Sequence, residues 1–356
     1  MDKLLYVLRL EIKSLLTIQK SERPWELPLA AALSSGIPLF IGAFFGHIEY
    51  GLMSSLGGMV FLSLPNTALA HRMSVMMCAA AGMAACFFFG LIGAYHPYLA
   101  GVLLGMLTIV VTMLCRYFRI GPPGSMFFVM AAAIAAFMPI DVLQIPYRVG
   151  LVFMGSLWAC VVALVYSWVM LVRGRPYQPL SEPLWDFDVV VVDAVIIGFF
   201  VMLSIFLAHA LQFSRPYWVP VSCLAVIQGM TFRAVWHRQL HRIVGTMLGV
   251  VVAWGLLNLH LNVWLLCVLM TLLAFIIEML VVRHYALAVM FITPLTIFLA
   301  EAGSLHAAGN EMVAARFYDT VLGCVIGVIG GLVIHRASLR RPIARFLRQI
   351  VPPEAA

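Results

Sequence analysis

Arg215-Pro216-Tyr217-Trp218-Val219-Pro220 opens an apolar run that reaches Met230. The basic patch Arg233, His237, Arg238, His241 and Arg242 follows, then Ile243-Val244-Gly245-Thr246-Met247-Leu248-Gly249. The fourteen residues from Tyr217 to Met230 are too few for an ordinary span. As a helix they cover about 21 Å, against about 30 Å of hydrocarbon. Backbone that stops short of the far side must be buried in protein or line a watery cavity. Leu52 to Leu64 is similarly short, ends at Pro65-Asn66 and precedes His71-Arg72. Paired short segments at matching places in two halves point to a transport site.

The composition sets the class. The chain is 63% hydrophobic and 10% charged, with a mean hydropathy of +1.03. That balance identifies a polytopic membrane protein. The net charge of +7 sits between apolar spans, where membrane orientation explains it and nucleic acid is not needed. The seven cysteines lie in or beside apolar runs without CxxC spacing, and read as small buried hydrophobes. No cleavable leader is legible in the charged opening residues.

Outward from the central stretch, twelve apolar segments are read. Six precede a Pro-containing linker at 173–188: Leu27–Gly46, Leu52–Leu64, Met73–Gly93, Tyr98–Cys115, Pro122–Pro139 and Tyr147–Val172. Six follow it: Val189–His209, Tyr217–Met230, Ile243–Leu259, Val263–Val282, Tyr285–Ala300 and Met312–His335. Residues 1–23 contain an amphipathic pattern (Leu5, Leu8, Ile12, Leu15 and Leu16 on one face) that predicts a helix on the membrane surface. Residues 336–356 form a basic tail. With the N-terminus inside and each segment returning the chain, all but Arg148, Arg215 and Arg316 of the 22 Lys and Arg residues fall on the cytoplasmic side. This predicts an N-in, C-in topology. Arg148 and Gly155 lie 168 residues before Arg316 and Gly323. The expected fold is therefore an all-α polytopic membrane protein of two parallel six-helix repeats, 24–172 and 189–335, facing each other across a central pathway.

The stretches Arg215–Pro220 and His241–Gly249 together resemble the core signature of fusaric-acid-resistance (FUSC) type membrane proteins. Arg316-Phe317-Tyr318-Asp319-Thr320-Val321-Leu322-Gly323 is similar to the last-helix motif of that family. The resemblance covers roughly residues 190–335, and the first half matches as a degenerate repeat. The family includes aromatic-acid exporters and is similar in plan to plant aluminium-activated malate transporters. Its larger exporters carry a sizeable cytoplasmic region between and after the halves; here the linker is short.

Several residues carry candidate chemistry. Arg233, His237 and His241 share a helical face, with Arg238 and Arg242 beside it. They would concentrate an organic anion at the inner end of the short segment; the positive-inside rule alone would also place basic residues there. His241 is a titrating candidate. No carboxylate or cysteine stands near the His pair in sequence, so no metal site is expected. Arg316 and Asp319 share a face inside a span. They read either as a proton-sensitive switch, with Asp319 releasing Arg316 to a substrate carboxylate when protonated, or as a structural ion pair. The first half keeps Arg148, a further candidate substrate contact past which, with Arg215 and Arg316, the anion would leave, but has Leu151 where Asp319 would fall. Gln228 is read as lining the cavity. Tyr217 and Trp218 read as stacking on an aromatic substrate or as interfacial belt aromatics. Asp193 and Glu278 read as structural. The glycines Gly245, Gly249, Gly323, Gly327, Gly330 and Gly331 read as close-packing positions.

No nucleotide loop, nucleophile elbow or HExxH motif occurs, so neither an enzyme nor a cofactor is expected. The expected function is export of small organic anions, which the resemblance narrows to aromatic carboxylates, across the inner (plasma) membrane, driven by the proton gradient. A passive organic-anion channel and a non-transporting scaffold subunit of an envelope complex are the alternatives. The partners expected are the bilayer and the anion, with a second copy as a homodimer and a periplasmic adaptor as further candidates.

Overall fold

A computed structural model describes residues 18–301 and 309–350, apart from Glu22, Ile140, Ser181, Ser214 and His260. The amphipathic helix expected in residues 1–23 falls largely outside the described residues.

Each apolar segment folds as a helix. In chain order these are α1 (Glu26–Phe44), α2 (Ile48–Gly58, extended by a 3₁₀ turn Met59–Ser63), α3 (Leu69–Gly93), α4 (Pro97–Tyr117), α5 (Met126–Ala135), α6 (Ile145–Val172), α7 (Asp193–Ala210, entered through a π-helical turn Asp188–Val192), α8 (Trp218–Ile227), α9 (Phe232–Leu257), α10 (Val263–Leu280), α11 (Tyr285–Glu301) and α12 (Gly309–His335). A last helix, α13 (Ala337–Ile350), follows α12 after a single residue. Among the described residues eight helices are long and apolar enough to cross a membrane: α1, α3, α4, α6, α7, α9, α10 and α12. The described residues contain no strand. The chain is a multi-pass, all-helical membrane protein.

Local chemistry sets the helix starts. His96 accepts from the Tyr98 amide ahead of Pro97 at the first position of α4. Thr231 and Asn262 accept from the Ala234 and Leu265 amides, at 3.1 and 2.8 Å, and cap α9 and α10. The short helices differ from the long ones in setting. Every residue of α8, and all of α5 from Phe128 onward, is buried. The sequence marked Leu52–Leu64 as the short counterpart of Tyr217–Met230; the structure adds α5, which is ten residues long where a longer segment was expected. The cause is local: the chain through Gly121, Pro122, Pro123 and Gly124 turns before it enters the helix at Met126.

Within the first six helices α1 packs on α2 and α6, α2 and α3 each pack on α6, and α3 packs on α5. Within the next six, α7 packs on α8 and α12, α8 and α9 each pack on α12, and α9 packs on α11. Three seams join the sets: α4 against α7, α10 against α1 and, less extensively, α5 against α8.

Polar contacts tie alternate chain ends together. Arg173, after α6, pairs with Glu26 at the start of α1 at 2.6 Å. The 173–188 linker donates from Gln178 N to Asn66 O, after α2, and from Leu184 N to Tyr117 O, at the end of α4. Asp193 at the head of α7 pairs with Arg116 of α4 at 2.6 Å and Arg340 of α13 at 2.9 Å. Glu278 of α10 pairs with Arg23. Asp193 and Glu278 are thus engaged in ion pairs, as their positions near span ends suggested.

Glycine sets the closest approaches. A Cβ at Gly155 of α6 would strike the Ser54 carbonyl oxygen of α2; one at Gly323 of α12 would strike the Val219 carbonyl oxygen of α8. Gly245 and Gly249 bring α9 equally near Ala286 and Met290 of α11. A backbone oxygen has no rotamer to escape to. Gly323→Val should therefore lower the unfolding free energy in detergent by about 1–3 kcal/mol. Gly255→Ala, with open space around it, should leave the thermal midpoint unchanged. Equal midpoints for both variants would contradict the packing account.

Candidate functional site

The fully enclosed α8 presents Trp218 and Ser222 one turn apart on one side. Three helices bring polar side chains to that side: α9 supplies Arg242, α11 supplies Tyr285 and Thr296, and α12 supplies Arg316 and Asp319.

The guanidinium of Arg316 lies over the Trp218 ring, 3.7 Å from its centroid, and its Nη2 donates to Thr296 Oγ1 at 3.3 Å. Its Nε and Nη1 are buried without a hydrogen-bond partner. Arg242 donates from Nη1 to the Tyr285 hydroxyl at 3.1 Å and from Nη2 to Ser222 Oγ at 3.3 Å; its Nε has no partner. The two arginines are 1% and 2% exposed, Arg242 and Arg316 respectively. Asp319 is 1% exposed, and neither carboxylate oxygen accepts a hydrogen bond. Among the described residues the hydrogen-bond and ring partners of the two guanidiniums are all neutral. Two cations and one carboxylate are thus held in a low-dielectric interior with donors and acceptors unspent. An unsatisfied buried charge costs several kcal/mol, and native proteins keep such groups where function requires them.

This geometry changes the reading of several residues. Arg242 does not belong with the inner patch: it is buried against α8 and α11, while Arg233 at the start of α9 is exposed. Arg316 and Arg242, expected near opposite ends of the pathway, bind side chains one turn apart on α8. The direct Arg316–Asp319 pair expected from their spacing is not made. The Trp218 face and the Thr296 hydroxyl hold the guanidinium on neighbouring helices instead. Arg148 does not join the cluster; it donates to Pro139 O at 2.8 Å and to Gln144 Oε1 at 2.9 Å, bracing the start of α6. Gln228 is half-buried and does not point into open space. Its Nε2 donates to Ser125 Oγ at 2.8 Å, and Thr112 donates to the same oxygen at 3.0 Å, linking α8 to the α4–α5 turn. Tyr217 and Trp218 are 7% and 2% exposed, which removes the interfacial-belt reading. Tyr217 packs between Trp218 and Phe137, at centroid distances of 5.0 and 5.9 Å.

The shared face of α9 stands. From its exposed end inward, Arg233 Nε donates to His237 Nε2 at 3.3 Å, and His241 stacks on His284 at 5.3 Å, just before Arg242 and Tyr285. Sequence reasoning did not single out Ser222, His284, Tyr285 or Thr296. Isolated hydroxyls inside apolar runs were the available signal. Among the described residues no group of three or more His, Cys, Asp or Glu side chains could hold a metal ion. A separate groove of about 550 Å³ between α1, α2 and α6, lined by Ile41, Phe45, Leu151 and Trp158, contains none of the cluster residues.

Replacing one buried, incompletely partnered cation by an apolar side chain of similar length should not unfold the protein. Arg242→Met and Arg316→Met should each hold or raise the thermal midpoint, by on the order of 1 kcal/mol in stability. A clear drop on thermal unfolding in detergent would show that the guanidinium is fully compensated in the resting structure.

Comparison with known proteins agrees with the motif reading. Residues 203–330 match the family model described as "Fusaric acid resistance protein-like". The chain is also similar to the uncharacterized membrane protein YvaC of Bacillus subtilis, 21% identical over an alignment that takes in 96% of this chain and 77% of that one. That alignment spans 487 positions, so the relative carries sequence inserted with respect to these 356 residues. No solved structure matches.

Proposed function

We propose that this FUSC-type membrane protein exports small organic anions, with aromatic carboxylates as the preferred class, and that the Arg242–Arg316–Trp218 cluster is where the anion rests. The observation that carries this reading is the pair of buried guanidiniums with unspent N–H donors one turn apart along α8. A carboxylate accepts two parallel N–H bonds from a guanidinium, and its negative charge offsets the burial cost. The adjoining Trp218 and Tyr217 rings supply an apolar, stackable wall for an aromatic body. Arg233, His237 and His241 gather the anion below the site. The residues fit binding and passage without a cofactor.

Asp319 sets the charge of the site. Ionised, it cancels one of the two cations; protonated, it leaves both to the anion. Proton uptake therefore strengthens anion binding, and bound anion strengthens proton binding by the same factor. The inside-negative potential then favours outward movement, by about 2.3 kcal/mol per charge per 100 mV. Twelve helical segments, the short α5 and α8 returning the chain within the bundle, lay it N-in and C-in in the inner membrane as two parallel repeats at 24–172 and 189–335 joined by 173–188. The contacts gathering Glu26, Asn66, Tyr117, Arg173 and Asp193 support this alternation. So does the recurrence of the first six helices' packing partners among the second six.

Radiolabelled phthalate, an aromatic carboxylate whose charges keep passive leak low, should leave proteoliposomes faster under an inside-negative potential. Arg242→Gln and Arg316→Gln should reduce this efflux to background. Asp319→Asn should preserve efflux but remove its dependence on pH, because a neutral side chain is fixed there. Efflux that ignores pH and the Asp319 change in every condition fits a passive channel; no flux with intact, folded protein supports the scaffold alternative.

A further inference from the structure

The last helix, α13, has three distinct faces. Ala344 is buried, and Ile343 and Leu347 pack on the core of the bundle. On that docked side Arg340 pairs with Asp193 at 2.9 Å and Arg348 with Asp188 at 2.7 Å. A second face carries Leu339, Phe346 and Ile350, spaced seven and four apart and therefore aligned, with exposures of 41, 61 and 60%. A third carries Arg341 and Arg345, one turn apart and exposed.

Position decides what meets these faces. Only Arg336 separates α13 from His335, the last residue of a membrane-crossing helix. The helix therefore begins where the bilayer ends, at the same bundle end as Arg23, Arg116 and Arg173. Its ion pairs to the head of α7 hold it there, so it is not a free tail. An exposed apolar stripe held at headgroup level, with a cationic stripe about 140° round the helix from which long arginine side chains reach back to the headgroups, is complementary to an anionic lipid surface. The apolar side chains reach the acyl boundary and the arginines meet phosphate oxygens.

We propose that α13 is an anionic-lipid-binding helix, seated in the headgroup layer of the leaflet where α12 emerges, with Leu339, Phe346 and Ile350 inserted and Arg341 and Arg345 on lipid phosphates. Lipid at this helix adds an attachment between the membrane and the α7 head, through Asp188 and Asp193. The surface lies outside the anion cluster and does not depend on it.

Hydrogen–deuterium exchange on the full chain in nanodiscs tests this. Backbone amides of 337–350 should exchange about tenfold more slowly in phosphatidylcholine–phosphatidylglycerol discs than in phosphatidylcholine alone. The double variant Arg341→Gln/Arg345→Gln, which leaves both ion pairs intact, should exchange at the phosphatidylcholine rate in both discs. Arg340→Gln should speed exchange in both discs yet keep the lipid difference, separating docking on α7 from lipid binding. Glycerol phosphate added to phosphatidylcholine discs should give no protection. Equal exchange in the two discs, a full lipid effect in the double variant, or protection by glycerol phosphate would overturn the proposal.

Discussion

Burying the Arg242 and Arg316 guanidiniums beside α8 is a costly feature of this fold, and four helices meet around it. Moving such ions out of water costs several kcal/mol each even after relaxation. The two hydroxyls at Arg242, the hydroxyl at Arg316 and the Trp218 face spread that cost over neutral dipoles and a ring quadrupole without cancelling it. Glycine packing makes even this partial compensation possible. Gly323 presses α12 onto the Val219 carbonyl, next to the Trp218 that Arg316 covers. Gly245 draws α9 onto α11 at Ala286, next to the Tyr285 that Arg242 reaches. Bulkier residues at these points would widen the seams and pull the guanidiniums from the hydroxyls and the ring that hold them.

The charges at the bundle end are treated in the opposite way. Asp193 receives both Arg116 and Arg340, Glu278 receives Arg23, and Glu26 receives Arg173. These pairs sit at partly exposed positions, where each carries a modest energy. Their value is geometric: they bind α4, α7, α13 and the linker into one plate. The carboxylates at the end each hold an arginine within ion-pair distance, whereas Asp319 in the middle accepts no hydrogen bond at either oxygen.

Close packing does the rest. In a membrane the apolar segments need no water-driven collapse against each other, so small residues and close contacts decide which helices touch. The enclosed α5 and α8 show the result. They are too short to span, and so must be wrapped by other helices to keep their end groups out of hydrocarbon.

The sequence by itself determined the membrane class, the position of each apolar helix and the short buried element at Trp218–Ile227, because hydropathy and length are local properties; the polar start of α9 at Phe232, and α13 within the stretch read as a tail, escaped it. It also picked out Arg242, Arg316, Asp319 and Trp218, because charge and a large aromatic in apolar runs are visible without coordinates. It did not reveal that Arg242 leaves the inner patch for α8, or that Arg316 bypasses Asp319 for Trp218 and Thr296. Nor did it show that Arg148 and Gln228 are taken up in bracing contacts. Those choices depend on which helices pack together, and residues 218, 242, 285, 296 and 316 meet only through tertiary contacts between α8, α9, α11 and α12. Spacing along one helix fixes which face a side chain shares; only the neighbouring helices decide what that face meets.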